Sequence, residues 1–234
     1  MPKLKPREEL EELRDQRRHQ AKRRDTYAKK HRTMVARVKR TSGRIKRLRA
    51  RIMAASRPVG VAILAAAAIH LGKWETSGSN DAPWLREMEA RLVKAGAHIE
   101  WMIPGNPYCG MGVMDAVFRA TGVLLPDGMV YTPNILGYAG LEFVSKTTGK
   151  RYRLVRVSLA DAKPGAIVVC DFDGGGADHV CLARGPLRGG TMPTRDYNTS
   201  PTNSGSQSNG GGVYDRTRYA ANLLGALELR PINH

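Results

Sequence analysis

The sequence predicts an α+β domain in which helices come first and the strands of an antiparallel sheet follow. Residues 59–122 carry apolar side chains at helical spacing, whereas residues 142–218 contain short apolar runs separated by Gly- and Asp-rich turns. Strands and helices do not alternate along the chain, which argues against a parallel α/β sheet. A hydrophobic content of 41% in 234 residues is enough to fill the core of one such domain.

A long basic helix is predicted to precede this domain. Residues 1–56 contain 20 Lys and Arg but only 6 Asp and Glu, so +14 of the formal net charge of +17 lies there. Apolar residues in this segment follow a seven-residue repeat, which predicts a helix that pairs as a coiled coil with itself or with another chain. The residues of this repeat are Leu10, Leu13, Tyr27, Met34, Val38, Ile45, Leu48 and Ile52.

The basic segment has two interpretations. Its charges either form a simple solvated face or bind a polyanion, such as nucleic acid or an anionic polymer of a cell wall, or a partner protein. Pro58 cannot continue a helix and restricts Arg57 before it, so the sequence predicts a basic helix over residues 1–57 and a second domain over residues 58–234.

Cysteine content and the N-terminus predict the compartment of synthesis. Three cysteines do not make a disulfide framework, and at least one thiol is expected to be free, as suits a reducing cytoplasm. The charged N-terminus has no apolar stretch behind it, so no secretory signal is expected. The apolar run Val59 to Leu71 has 13 residues, too short for a transmembrane segment, and predicts a buried helix.

Three helices and six strands are predicted in the second domain. The helices are Val59 to Lys73, Leu85 to Ala95 and Cys109 to Gly122, and residues 124–141 are expected to form loop and short helix. Candidate strands are Glu142 to Val144, Arg151 to Val157, a strand within AKPGAIVVCDF, Val180 to Arg184, RDYNTS and Val213 to Arg218. A long loop, rich in Ser, Asn and Gly, precedes the last of these strands.

Cys109 is the candidate nucleophile. It follows a proline at the start of an apolar helix, where exposed backbone N–H groups and the helix dipole stabilise a thiolate. The alternative is a buried structural thiol, because free cysteines are among the most buried residues.

A thiol nucleophile needs a base and a group that orients the base. His179 is the candidate base, because it opens a strand directly after the glycine turn GGGAD. The other histidines lie in the basic helix, at the C-terminus or beside helices. Asp196 and Asn198 alternate on the next polar strand, so both are expected on the same face, and either one is a candidate acceptor for the second imidazole N–H.

Four segments, NPYCGMG, DFDGGGADHVCLA, DYNTS and SNGGGVYDRTR, together resemble the cysteine, histidine-dependent amidohydrolase/peptidase (CHAP) family, particularly the domains of bacteriophage lysins. The resemblance covers Pro58 to Arg218. It implies a papain-like fold that cleaves peptidoglycan, either at the amide between muramic acid and the stem peptide or at a peptide bond in the stem or crossbridge.

The resemblance also implies residue roles. Cys109 is the nucleophile, His179 the base, Asp196 the acidic orienter and Asn198 its amide neighbour. The candidate substrate-binding residues are Glu75 and Asn80, in a loop like the one before the family's nucleophile, together with Tyr108 and Tyr197. This chain departs from the family in having Tyr108 where Trp is usual, and Asp196-Tyr197-Asn198 where Glu-Gly-Asn is usual.

No metal or other cofactor is expected. Asp171, Asp173 and Asp178 surround the glycine turn, but their spacing does not match an EF-hand loop and turn formation explains them. Cys170 and Cys181 are expected close together on adjacent strands, as two buried thiols rather than as a disulfide.

The leading functional hypothesis is therefore a phage-type peptidoglycan hydrolase, made in the host cytoplasm and acting on the wall after release or as part of a virion. A structural or nucleic-acid-binding virion protein with an accessory papain-like domain is the alternative. A papain-like enzyme acting on another amide is a third hypothesis.

Overall fold

The computed structural model describes residues 58–75, 77–202, 205–206 and 210–232, together with residues 11, 33–36 and 40. The chain divides into two units, Met1–Ser56 and Arg57–His234. Within the first unit the described residues are helical, but most of the predicted coiled coil lies outside the described residues and its pairing stays a prediction. No helix in the described ranges is both long enough and apolar enough to cross a membrane.

The second unit begins with three helices: α1 (Val59–Ala67), α2 (Pro83–Lys94) and α3 (Cys109–Thr121). Helix α3 ends as predicted at Gly122, which adopts the left-handed conformation (φ 71°) that glycine accommodates at helix ends. Helix α1 is shorter than predicted. It passes through a 3-10 turn at Ala68–His70, after which Gly72 and Lys73 exchange backbone hydrogen bonds with Val213 and so leave the helix to run beside a strand.

Seven antiparallel strands form one sheet in the order β1-β2-β7-β3-β4-β5-β6. Helices followed by an antiparallel sheet confirm the predicted α+β class. Two 3-10 helices, Asp127–Val130 and Thr132–Tyr138, occupy the region expected to be loop and short helix. The strands are β1 (Glu142–Val144), β2 (Arg151–Val157), β3 (Ile167–Cys170), β4 (His179–Ala183), β5 (Thr191–Thr199), β6 (Gly212–Tyr219) and β7 (Leu223–Pro231).

Strand β7 was not predicted from the sequence, although it lies in the sheet interior between β2 and β3. Six of the nine residues in its sequence LLGALELRP are Leu, Ala or Glu, which are good helix formers. Five consecutive residues of the strand, 225–229, are buried, so it lacks the alternation that marks a half-exposed strand. Pairing with two neighbours therefore decides its conformation.

Helix α3 is almost entirely buried and shares a core with residues of β4 and β5. Two glycines permit its close approach. A Cβ atom on Gly112 would lie 2.3 Å from the Tyr197 ring of β5, and one on Gly110 would lie 2.2 Å from the carbonyl oxygen of Met129. The start of the helix is thereby fixed between the sheet and the 3-10 helix Asp127–Val130, and Cys109 is fixed with it.

Candidate active site

Cys109 is the first residue of α3, directly after the N-cap residue Tyr108. The N–H of Gly112 donates to the Tyr108 carbonyl and begins the helical hydrogen-bond pattern. The Cys109 side chain is thus at the positive end of the helix dipole, where a thiolate is stabilised. The residue is 2% exposed, so the sulfur is shielded from bulk water.

His179 is the first residue of β4 and is completely buried. Its Nε2 lies 3.0 Å from Oδ2 of Asp196 on the neighbouring strand β5. The Phe172 ring packs beside the imidazole, with ring centroids 5.6 Å apart. The imidazole is therefore held from one side by a carboxylate and from another by an aromatic ring.

The pKa of His179 is raised to about 10. Burial alone lowers the pKa of a histidine, but the hydrogen bond to Asp196 and the adjacent Cys109 sulfur outweigh burial, since the carboxylate and a thiolate both favour the imidazolium. Among the described residues, Nδ1 has no hydrogen bond of good geometry. Because Asp196 holds Nε2, the interaction of the ring with Cys109 is assigned to the Nδ1 side. Such bonds are often loose in a free enzyme and tighten when substrate binds.

Asp196 is buried, and its carboxylate accepts hydrogen bonds at both oxygens. Oδ1 accepts from the Thr194 hydroxyl at 2.5 Å, while Oδ2 accepts from His179 and from the Arg218 guanidinium. Burial raises the pKa of Asp196, but His179, Arg218 and Thr194 together lower it below its usual value. An ionised carboxylate cannot donate, so Nε2 of His179 carries the proton of that hydrogen bond. In the neutral imidazole, Nδ1 is then the free base that faces Cys109.

Asn198 occupies a bulge that the sequence did not reveal. The pairing of β5 with β6 shifts between Tyr197 and Thr199, and Asn198 has a left-handed φ of 57°. The residue is buried, and its carbonyl accepts a hydrogen bond from Gly210. The simple alternation expected for Asp196 and Asn198 is therefore interrupted. Asp196 contacts His179, and a catalytic role for Asn198 stays a prediction.

The two tyrosines predicted to bind substrate are fully buried. Tyr108 packs edge-on against Trp84, and its pKa is raised by burial and then by the charges of Glu75, Tyr214 and Cys109. Tyr197 packs against α3, with its hydroxyl 3.4 Å from Nδ1 of His70. Both rings support the start of α3, and their direct contact with substrate stays a prediction.

The loop that contains Glu75 and Asn80 is tied to the segments around the nucleophile. The N–H of Glu75 donates to the Gly211 carbonyl at the start of β6, and Gly105 donates to Ser79. Asn80 is buried with a left-handed φ of 52°. Glu75 is 8% exposed, and its Oε2 has no hydrogen-bond partner among the described residues. Burial of a carboxylate oxygen without a donor is costly, and contact between Glu75 and substrate stays a prediction.

Arg218, Thr194 and Phe172 are site residues that the sequence analysis missed. Arg218 was part of a motif that carried the family resemblance, but it had no assigned role. The available signal was strand pairing: Asp196 pairs with Tyr214, and Arg218 lies four residues further on, on the same face of β6. Placing Arg218 beside Asp196 requires the register between β5 and β6, which the sequence pattern does not determine.

The carboxylates of the glycine turn have oxygens within 4.8 Å of one another. Each also accepts a backbone N–H within the turn: Asp171 from Gly174 and Gly176, Asp173 from Gly175, and Asp178 from Phe172. These are the turn contacts that the sequence predicted, and the absence of a metal requirement stays a prediction.

Cys170 and Cys181 are buried free thiols with their sulfurs 3.9 Å apart, as expected.

The site brings together the Cys109 thiol, the His179 imidazole and the ionised Asp196 carboxylate. His179 can take the Cys109 proton at Nδ1 while Asp196 stabilises the imidazolium through Nε2. This is the chemistry of acyl transfer through a thioester. Neither protein-family models nor curated protein sequences give any match to this chain, so its function has to be inferred from the geometry of the site.

Proposed function

We propose that the chain is a cysteine-dependent peptidoglycan hydrolase with a papain-like domain of the CHAP type. One observation carries the proposal: a buried imidazole lies between an ionised carboxylate, Asp196, and a thiol at the start of a helix, Cys109. Such a chain of groups activates a thiol to attack an amide carbonyl. The bond cleaved is the muramoyl–L-alanine amide or a peptide bond of the stem or crossbridge.

The reaction proceeds in two halves. The Cys109 thiolate attacks the amide carbonyl carbon, and a backbone N–H at the start of α3, that of Cys109 itself, stabilises the oxyanion. The His179 imidazolium gives its Nδ1 proton to the departing amine, which leaves an acyl-thioester on Cys109. A water molecule then gives a proton to His179 and attacks the thioester, releasing the acid and restoring the thiol.

The surrounding loops support recognition of a peptide substrate. Glu75 offers a buried carboxylate oxygen for a substrate donor, and Asn80 lies in the same loop. The wall is reached after release from the host or from within a virion. The basic segment, residues 1–57, would then hold the enzyme on an anionic wall polymer or on a virion protein.

The test is release of soluble muropeptides from purified peptidoglycan by the full chain. Cys109→Ser and His179→Ala are expected to abolish release while leaving the circular dichroism spectrum unchanged. His98→Ala is the matched control, because His98 is exposed and outside the site, and it should retain full activity. Muropeptide release by Cys109→Ser at the rate of the original chain would refute the proposal. Mass spectrometry of the fragments distinguishes amidase from endopeptidase.

The second candidate is a structural or nucleic-acid-binding virion protein with an accessory papain-like domain. It is favoured by the net charge of +14 carried by residues 1–56. On this alternative, DNA binding falls steeply with salt and survives deletion of residues 58–234. Salt-independent or absent DNA binding by the full chain would exclude it.

A further inference from the structure

We propose that Arg218 is a positioning residue of this site: it holds the Asp196 carboxylate in the orientation that directs His179 toward Cys109. The turnover arm of its test rests on the proposed hydrolase function, whereas the thiol-reactivity arm does not. Arg218 touches neither the nucleophile nor the scissile bond in this scheme, and acts through the carboxylate.

Contacts with three residues, Asp196, Thr199 and Phe172, hold the Arg218 side chain. Its Nε and Nη2 lie 2.9 and 2.6 Å from Oδ2 of Asp196, and Nη2 also donates to the Thr199 hydroxyl at 3.0 Å. The guanidinium carbon lies 4.6 Å from the centre of the Phe172 ring. Arg218 is 4% exposed, so these contacts are made away from bulk water, where charge-assisted hydrogen bonds are strong.

Phe172 links the cation to the base. Its ring packs on the Arg218 guanidinium and also beside the His179 imidazole. The same carboxylate oxygen, Oδ2 of Asp196, accepts from both Arg218 and His179. Rotation of the carboxylate would therefore break hydrogen bonds to two residues at once, while Thr194 holds the other oxygen.

Charge balance gives Arg218 a second effect. Other titratable groups lie near His179 and Asp196. Cys109 and Asp178 interact with His179, and Cys181 and Arg216 interact with Asp196. A guanidinium stays protonated at any working pH, so it offsets the Asp196 charge permanently. Without Arg218, the buried carboxylate would bind protons more tightly and so would the adjacent imidazole. Loss of Arg218 also removes a positive charge that favours an anion in this buried cluster, so alkylation of Cys109 should require a higher pH in the variant.

A lysine would reproduce the charge but not the geometry. Its single ammonium nitrogen cannot place two N–H groups of a planar fork on one carboxylate oxygen while stacking on Phe172. Arg218→Lys and Arg218→Met therefore separate the two contributions. Arg195→Met is the matched control, because it removes another buried arginine, also on a sheet strand, which pairs with Asp215 and not with Asp196.

The experiment measures the rate of Cys109 alkylation by iodoacetamide against pH, with the modified residue identified by mass spectrometry, alongside muropeptide release. The acid limb of the profile is the pH range in which the rate of Cys109 alkylation first rises. In Arg218→Met this limb should lie about 1 pH unit or more higher than in the original chain. Release should fall about 10- to 100-fold, the range found when the hydrogen-bond partner behind a metal-ligating side chain is lost. Arg218→Lys should restore the position of the limb but only part of the rate of release. Arg195→Met should leave the profile in place.

A folded Arg218→Met protein with the original pH profile and release within about twofold of the original chain would overturn the proposal. If Arg218→Met does not fold, Arg218→Lys decides. Alkylation and muropeptide release at the original rates overturn the proposal, whereas slower release with the acid limb of alkylation at its original pH supports it. If the alkylation limb moves as expected but the original chain releases no muropeptides, the positioning role stands and the hydrolase function fails.

Discussion

At the scale of single residues, buried charges at the site differ in whether the protein compensates them. Asp196 is buried but accepts hydrogen bonds from His179, Thr194 and Arg218, so its charge is neutralised within the chain. Glu75 is also buried, yet its Oε2 has no hydrogen-bond partner among the described residues. A compensated charge organises the catalytic groups, whereas an oxygen that lacks a partner is suited to receive one from a ligand.

Asp196→Asn should lower the pKa of His179 from about 10, because the negative charge that favours the imidazolium is removed. The imidazolium then loses its proton at lower pH, and the alkaline limb of Cys109 alkylation moves down. Release of muropeptides should fall about 100-fold or more, since the imidazolium formed in each half-reaction loses its counter-charge. The pH profile of alkylation checks this. Arg218→Met should move the alkaline limb up, because loss of a positive charge raises the pKa of His179, and movement of this limb in the same direction in both variants would contradict the charge assignment.

If Glu75 binds substrate as proposed, Glu75→Gln should raise KM for peptidoglycan fragments about 10-fold with little change in kcat, because the carboxylate would take no part in bond cleavage. Steady-state kinetics on soluble fragments test this. Glu87→Gln is the control, since Glu87 is an exposed carboxylate on α2. A KM for Glu75→Gln equal to that of the control would remove Glu75 from the substrate-binding residues.

At the scale of elements, α3 carries the proposed nucleophile, Cys109, and its two glycines determine where that residue lies. Gly110 meets the backbone at Met129, and Gly112 meets the Tyr197 ring of β5. Strand β5 also carries Asp196, so helix and strand are fitted to each other on either side of the catalytic groups. The helix therefore does two things: its dipole stabilises a thiolate, and its packing sets the distance to His179.

Gly112→Ala should destabilise the protein by about 1–3 kcal/mol, because the new methyl group would lie 2.3 Å from the Tyr197 ring and the helix must move away. Alkylation of Cys109 at neutral pH should slow as well, since the thiol moves relative to His179. Urea unfolding and the alkylation rate measure the two effects. Gly137→Ala is the control, because a methyl group there meets nothing within 4 Å, and it should change stability by less than about 0.5 kcal/mol. Equal stability of the two variants would show that the close packing of α3 is not needed.

At the scale of the whole molecule, the sequence predicted those features that depend on local signals. The start of α3, its end at Gly122 and the strand opened by His179 follow from proline, glycine and apolar spacing. Strand β7 and Arg218 depend on pairing between distant segments, which no local pattern encodes. Strand alternation makes Asp196 and Asn198 equal candidates as the partner of His179, and only the bulge between Tyr197 and Thr199, which no local pattern reveals, separates them.

The distribution of charge along the chain leads to a last prediction. Residues 1–56 carry +14 and the remaining residues only +3, so binding to a polyanion should be a property of the first unit. A chain that begins at Arg57 should release muropeptides from stripped peptidoglycan at the original rate. On sacculi that retain their anionic polymer it should bind more weakly than the full chain. The full chain should lose affinity steeply as salt rises, because each neutralised anionic group releases counterions, with a slope of about −0.7 to −0.9 per contact in a plot of log affinity against log salt. Equal binding of both chains at every salt concentration would mean that the basic segment is only a solvated face.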